Sequence, residues 1–138
     1  MRSAAYGLAL ESALRGVGLP YGYTATVWGS GAALTSSLGL PNFAKALLFA
    51  GGAVSGYGLL RFATRHAPAG EAAQFARSPH VVRAGVFHAA AIALGIGAAA
   101  LAGLLDSAVA WALGTFGATL VYLGVVSIEM ALTESEER

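Results

Sequence analysis

Apolar residues fill four long stretches of this chain, and polar residues gather in the short segments between them. The run from Ala108 to Leu132 is the last of them, and Glu129 is its only acidic or basic side chain. It exceeds the roughly 20 residues that cross a bilayer core of about 30 Å. Three further runs have comparable length, at 21–40, 43–63 and 81–105. The pattern predicts an all-α integral membrane bundle of four transmembrane helices, folded as a single membrane domain over 1–138.

The segment before the first span reads differently. In Met1 to Leu19, Tyr6, Leu10, Leu14 and Val17 recur near helical spacing, and Glu11 stands four residues before Arg15. That pattern predicts an N-terminal amphipathic helix lying in the membrane interface. A signal peptide is the competing reading, but Glu11 interrupts its apolar part and no convincing small-residue cleavage site follows. Gly18, Pro20 and Gly22 then redirect the backbone.

The first span, 21–40, carries Thr24, Thr26, Ser30, Thr35, Ser36 and Ser37 yet is apolar enough to be read as crossing. At helical spacing Tyr23, Thr26, Ser30, Ala33 and Ser37 share one face, which should avoid lipid. Pro41 ends this helix, and Asn42 is placed to cap the next. In the second span Gly52 and Gly56, with Ser55 beside them, form a GxxxG pattern that lets two helix backbones approach. The polar loop 64–80 closes with Ser78 and Pro79, a cap and first-turn pair. The third span places His88, Ala91, Gly95, Ala98 and Ala102 along one face. Asp106 and Ser107 form the tight connection to the fourth, and a polar tail follows at 133–138.

Composition removes several function classes. At 57% hydrophobic and 11% charged residues over 138 positions, with mean hydropathy +0.67, the chain lacks the polar surface of a soluble domain. A net charge of +1 gives no nucleic-acid footprint. With no cysteine there is no thiol nucleophile, disulfide or cysteine-held metal. No nucleophile motif surrounds any serine, and no metal spacing links the histidines, so the reading is not enzymatic and expects no cofactor. Seven of the eight basic residues fall on the side of the termini and the 64–80 loop, with Lys45 alone opposite. The positive-inside rule therefore predicts a multi-pass protein with both termini cytoplasmic.

The candidate chemistry lies within the spans. Thr115, Thr119, Tyr122, Val126 and Glu129 follow one another at intervals of four, three, four and three, a polar ladder ending in a carboxylate. An ionisable group in a span is costly and points to a site; near the helix end, Glu129 also has Arg61, Arg65 and Arg83 as structural partners. His88 suits proton relay, pH sensing or an interhelical hydrogen bond. Haem ligation would need two copies, because His66 and His80 belong to the loop. Trp111 is read as an outer-interface anchor, Tyr21 and Tyr23 as inner ones, and Trp28 as filling space between helices.

These patterns predict a small homo-oligomeric channel or transporter for an ion or small solute, whose movement is either passive or proton-linked. Its pathway would use Thr26, Ser30, His88, Thr115, Thr119, Tyr122 and Glu129, and its packing Gly52, Ser55, Gly56 and Gly95. The alternatives are a non-catalytic accessory subunit docked on a membrane-protein partner and a holin-like lesion-forming protein.

Overall fold

The computed structural model of the chain describes the backbone of residues 20–65 and 81–136. Within them lie α1 (Pro20–Leu38), α2 (Phe43–Thr64), α3 (Val81–Ala102) and α4 (Val109–Glu136), with a 3-10 turn over Gly103–Leu105 after α3. The expected interfacial helix over 1–19, the loop from 66 to 80 with its Ser78–Pro79 cap, and the last two residues of the tail lie outside the described residues. Helix is the form these runs must take in lipid, because no water is present there to satisfy free backbone groups.

The boundaries follow local chemistry. Gly39 takes a left-handed conformation (φ 77°) and its amide donates to the Thr35 carbonyl at 2.9 Å, closing α1. Three residues later the Asn42 side chain accepts from the Lys45 amide at 2.9 Å, capping α2 as its sequence position predicts. Asp106 turns the chain between the 3-10 turn and α4 at φ 44°, a region that aspartate tolerates better than most residues. α4 runs through Thr133 and Glu134 to Glu136, so most of the expected polar tail is helical. Good helix formers such as Met130, Ala131 and Leu132 carry it there.

Three helices are long and apolar enough to cross a membrane: Phe43–Thr64, Phe87–Leu105 and Val109–Glu129, with mean hydropathies of 1.4, 1.9 and 1.8. α1 has the length, at 19 residues, but is not among them. Its tyrosines, threonines, serines and glycines dilute the apolar residues, so of the four expected spans three are apolar enough to cross.

α4 is the axis of the bundle, packing against α1, α2 and α3 alike. Half of its membrane stretch is buried by protein, against 22% for that of α3 and 11% for that of α2. α2 therefore rests almost wholly on α4 and leaves most of its circumference open. The interior has two centres. Leu34, Ala99, Trp111 and Ala118 form one, and Ala91, Tyr122, Leu123 and Val126 form the other.

Both tryptophans depart from their expected roles. Trp111 is only 2% exposed, wedged in the interior with its ring edge-on to Phe49 at 6.1 Å, and is no interface anchor. Trp28 is 78% exposed on the outer face of α1 and fills no space between helices. Apolar and amphipathic residues look alike in a one-dimensional pattern, and only the packing of α4 at the centre selects which of them turns inward.

Candidate functional site

The hydroxylated face of α1 turns toward α3 and α4. Thr26 and Ser30 are completely buried there. Each satisfies its hydroxyl on its own helix: Thr26 donates to the Gly22 carbonyl at 2.8 Å, and Ser30 to the Thr26 carbonyl at 2.7 Å. Ser127 on α4 does the same with the Leu123 carbonyl at 2.6 Å. These groups make the interface polar without tying the helices to one another.

Side-chain links between described residues cross that interface at Tyr122 and at Tyr23. Tyr122 on α4 is fully buried, and its hydroxyl lies 2.8 Å from His88 Nε2 on α3. The two rings meet edge-on at 5.6 Å. On the α1 side, the Tyr23 and Thr119 hydroxyls share a hydrogen bond of 3.2 Å, and the Tyr23 ring lies 6.1 Å from that of Tyr122. Tyr23 is thus half-buried against α4, while Tyr21 is 88% exposed.

Glycines allow this closeness. A Cβ on Gly22 would run into the Tyr122 hydroxyl and His88 Nε2, so the His88–Tyr122 bond lies in a notch that only glycine leaves open. A Cβ on Gly95 would stand 2.6 Å from Thr26 Cγ2 and 3.2 Å from the Ala118 carbonyl, where α1, α3 and α4 meet.

Thr115 belongs to the opposite side of α4. Its hydroxyl lies 2.7 Å from the Phe49 carbonyl of α2 and 2.9 Å from the Trp111 carbonyl, and its one proton serves these acceptors. Gly52 and Gly56 lie on the same contact: a Cβ on Gly52 would strike the Ala112 carbonyl and Thr115 Oγ1, and one on Gly56 would stand 3.1 Å from the Phe116 carbonyl and Thr119 Cβ. Ser55 is exposed beside them, on the wall of an open apolar trough.

Thr26, Ser30, His88, Thr119, Tyr122 and Gly95 therefore come together between α1, α3 and α4, whereas Thr115, Gly52 and Gly56 meet between α2 and α4. Glu129 is half-buried at the end of the α4 membrane stretch. It stands seven residues beyond Tyr122, about 10 Å along the helix. No three His, Asp or Glu side chains gather into a metal site among the described residues. Sequence reasoning misses Gly22 and the Tyr23–Thr119 link, although the shared stripe of Tyr23, Thr26 and Ser30 is the signal that Tyr23 turns inward. It also misses that the Trp111 indole Nε1, buried in the interior, has no hydrogen-bond acceptor.

Comparison with known protein families, curated proteins and solved structures finds no match to this chain. Its functional reading rests on the residues themselves.

Proposed function

We propose that this protein is a four-span membrane protein that moves an ion or small solute, with proton linkage, along the polar interface between α1, α3 and α4. The observation that supports this reading is the His88–Tyr122 hydrogen bond of 2.8 Å, which joins a titratable ring to a phenol across facing helices. Ionisable groups inside a membrane bundle are expensive to place and mark ion or proton routes. Here the interface around them is held by few directional links, because Thr26 and Ser30 bond to their own helix. In the tautomer whose Nε2 carries no proton, the Tyr122 hydroxyl donates to it; a proton added at Nε2 reverses the bond, and the hydroxyl must then accept and redirect its own proton. That exchange is the step that would loosen the interface.

α1 completes the four spans in this proposal. Too polar to face lipid all round, it crosses with its hydroxyls buried against α3 and α4. The bias of basic residues places both termini in the cytoplasm, with Glu129 at the cytoplasmic mouth attracting cations or exchanging a proton. The working form is a homo-oligomer, in which neighbouring copies cover exposed helix surface.

Purified protein in liposomes tests this directly. Proton, cation and anion fluxes are measured across pH for wild type, His88→Ala, Tyr122→Phe and Glu129→Gln. Wild-type flux above that of empty liposomes, with its pH dependence lost in His88→Ala and Tyr122→Phe, supports the reading. Absence of any flux from a folded protein removes it.

A second reading, the non-conducting accessory subunit, is favoured by the local satisfaction of the buried hydroxyls. It expects no flux from the isolated protein, and association with a membrane-protein partner that Glu129→Gln leaves intact.

A further inference from the structure

The open side of α2 ends in a cationic and aromatic group at the membrane boundary. Arg61 and Arg65 are exposed one turn apart at the end of α2, and the Arg65 guanidinium stacks over the Phe62 ring at 4.0 Å. Stacking holds the guanidinium plane while its N–H edges keep their fork geometry, which matches the oxygens of a phosphate. Phe62 is itself 61% exposed, so the pair stands on the outer surface of the bundle.

From this end an uncovered apolar strip runs inward. Leu47, Gly51, Gly58, Phe62 and Arg65 share one face of the helix, at spacings of four, seven, four and three. A Cβ at Gly51 or Gly58 would meet nothing within 4 Å. At its inner end the strip opens into a trough of about 670 Å³ between α2 and α4, lined by Leu47, Leu48, Gly51, Ser55, Leu113 and Phe116. Arg65 and Gly51 are separated by 14 residues, about 21 Å along the axis. That span covers one leaflet of the hydrocarbon core, about 15 Å, together with the headgroup boundary.

We infer that α2 binds an anionic phospholipid, with the phosphate held at Arg61 and Arg65 and one acyl chain lying along Gly58 toward the trough. Charge complementarity selects the headgroup, since a basic group beside exposed apolar surface fits a lipid phosphate and repels a second copy's identical arginines. This inference rests on the membrane reading alone and is independent of transport, so its test reads bound lipid and not flux.

The full chain, purified in detergent, is titrated with phosphatidylglycerol, with phosphatidylcholine of the same acyl chains, and with glycerol phosphate. Retained lipid is followed by native mass spectrometry and stability by thermal unfolding. Phosphatidylglycerol is expected to bind about thirtyfold more tightly than phosphatidylcholine, since each of the two arginines contributes roughly 1 kcal/mol toward an anionic headgroup. Glycerol phosphate should give no stabilisation. Arg61→Gln/Arg65→Gln should bring phosphatidylglycerol down to the phosphatidylcholine level, and Gly58→Leu should weaken both lipids. Unchanged helicity by circular dichroism in each variant keeps these losses from being unfolding. Equal retention of the two lipids, full phosphatidylglycerol binding by the double variant, or stabilisation by glycerol phosphate alone would each overturn the inference. So would copy-to-copy cross-linking through Gly58→Cys, which would give this face to a second protomer.

Discussion

α4 holds its neighbours in two different ways. Against α2 it uses backbone proximity, with Gly52 and Gly56 set against the Ala112 and Phe116 carbonyls and Thr115 donating to the Phe49 carbonyl. Against α1 and α3 it uses side chains, with Tyr122 bonded to His88, Thr119 to Tyr23, and Gly22 and Gly95 providing the room. In lipid there is little hydrophobic gain in bringing helices together, so contact depends on close packing and on hydrogen bonds. The α2 contact relies on shape and on the Thr115 hydrogen bond to backbone. The α1 and α3 contact adds the exchangeable His88–Tyr122 and Tyr23–Thr119 bonds to apolar packing around Leu34, Ala99 and Tyr122.

The contrast is broken most severely by Gly52→Leu. Its side chain has no place to go against a backbone carbonyl, and the expected loss is about 3 kcal/mol. Unfolding in detergent followed by circular dichroism measures it. Gly22→Ala adds a single methyl group, but into the Tyr122 hydroxyl and the His88 ring. It should cost about 2 kcal/mol through overpacking and displacement of that bond. If Gly22→Ala is neutral, the notch around His88 is softer than the packing indicates, and the two contacts are alike.

Tyr122→Phe separates hydrogen bonding from packing on the side-chain interface. The ring remains and the hydroxyl is lost, so the expected change is about 1 kcal/mol, the range of membrane interhelical bonds. Trp111→Phe should be smaller still, within about 1 kcal/mol, because loss of ring area is offset by removal of an indole N–H with no acceptor. Single-tryptophan variants sharpen the same division by location. In bilayers containing brominated lipid, fluorescence from the exposed Trp28 should be strongly quenched and that from the buried Trp111 barely changed.

Much of the architecture is legible from residue order. The cap at Asn42, the break at Gly39 to Pro41 and the long apolar runs are local effects, since each depends on groups a few residues apart. The inward face of α1 is also legible, because Thr26 and Ser30 recur at helical spacing. The site is less so. His88 and Tyr122 are separated by 34 positions, and Gly22 lies far from both. Periodicity identifies a polar face but not the partner it meets. The exchange of expected roles between Trp28 and Trp111 has the same origin, for a tryptophan in an apolar run satisfies the pattern whether it faces lipid or protein.

The sequence by itself determined that the chain is helical and made for a bilayer, because backbone satisfaction and apolar run length are properties of consecutive residues. It also determined where helices stop and which faces are small or hydroxylated. Only the tertiary structure decided that α4 is the axis, that α2 stands open on one side, and that His88 meets Tyr122 beneath Gly22. Those outcomes depend on how three apolar helices and the more polar α1 share limited contact area. A methyl group present or absent at a glycine settles that competition, and its effect is felt only when another helix is already there.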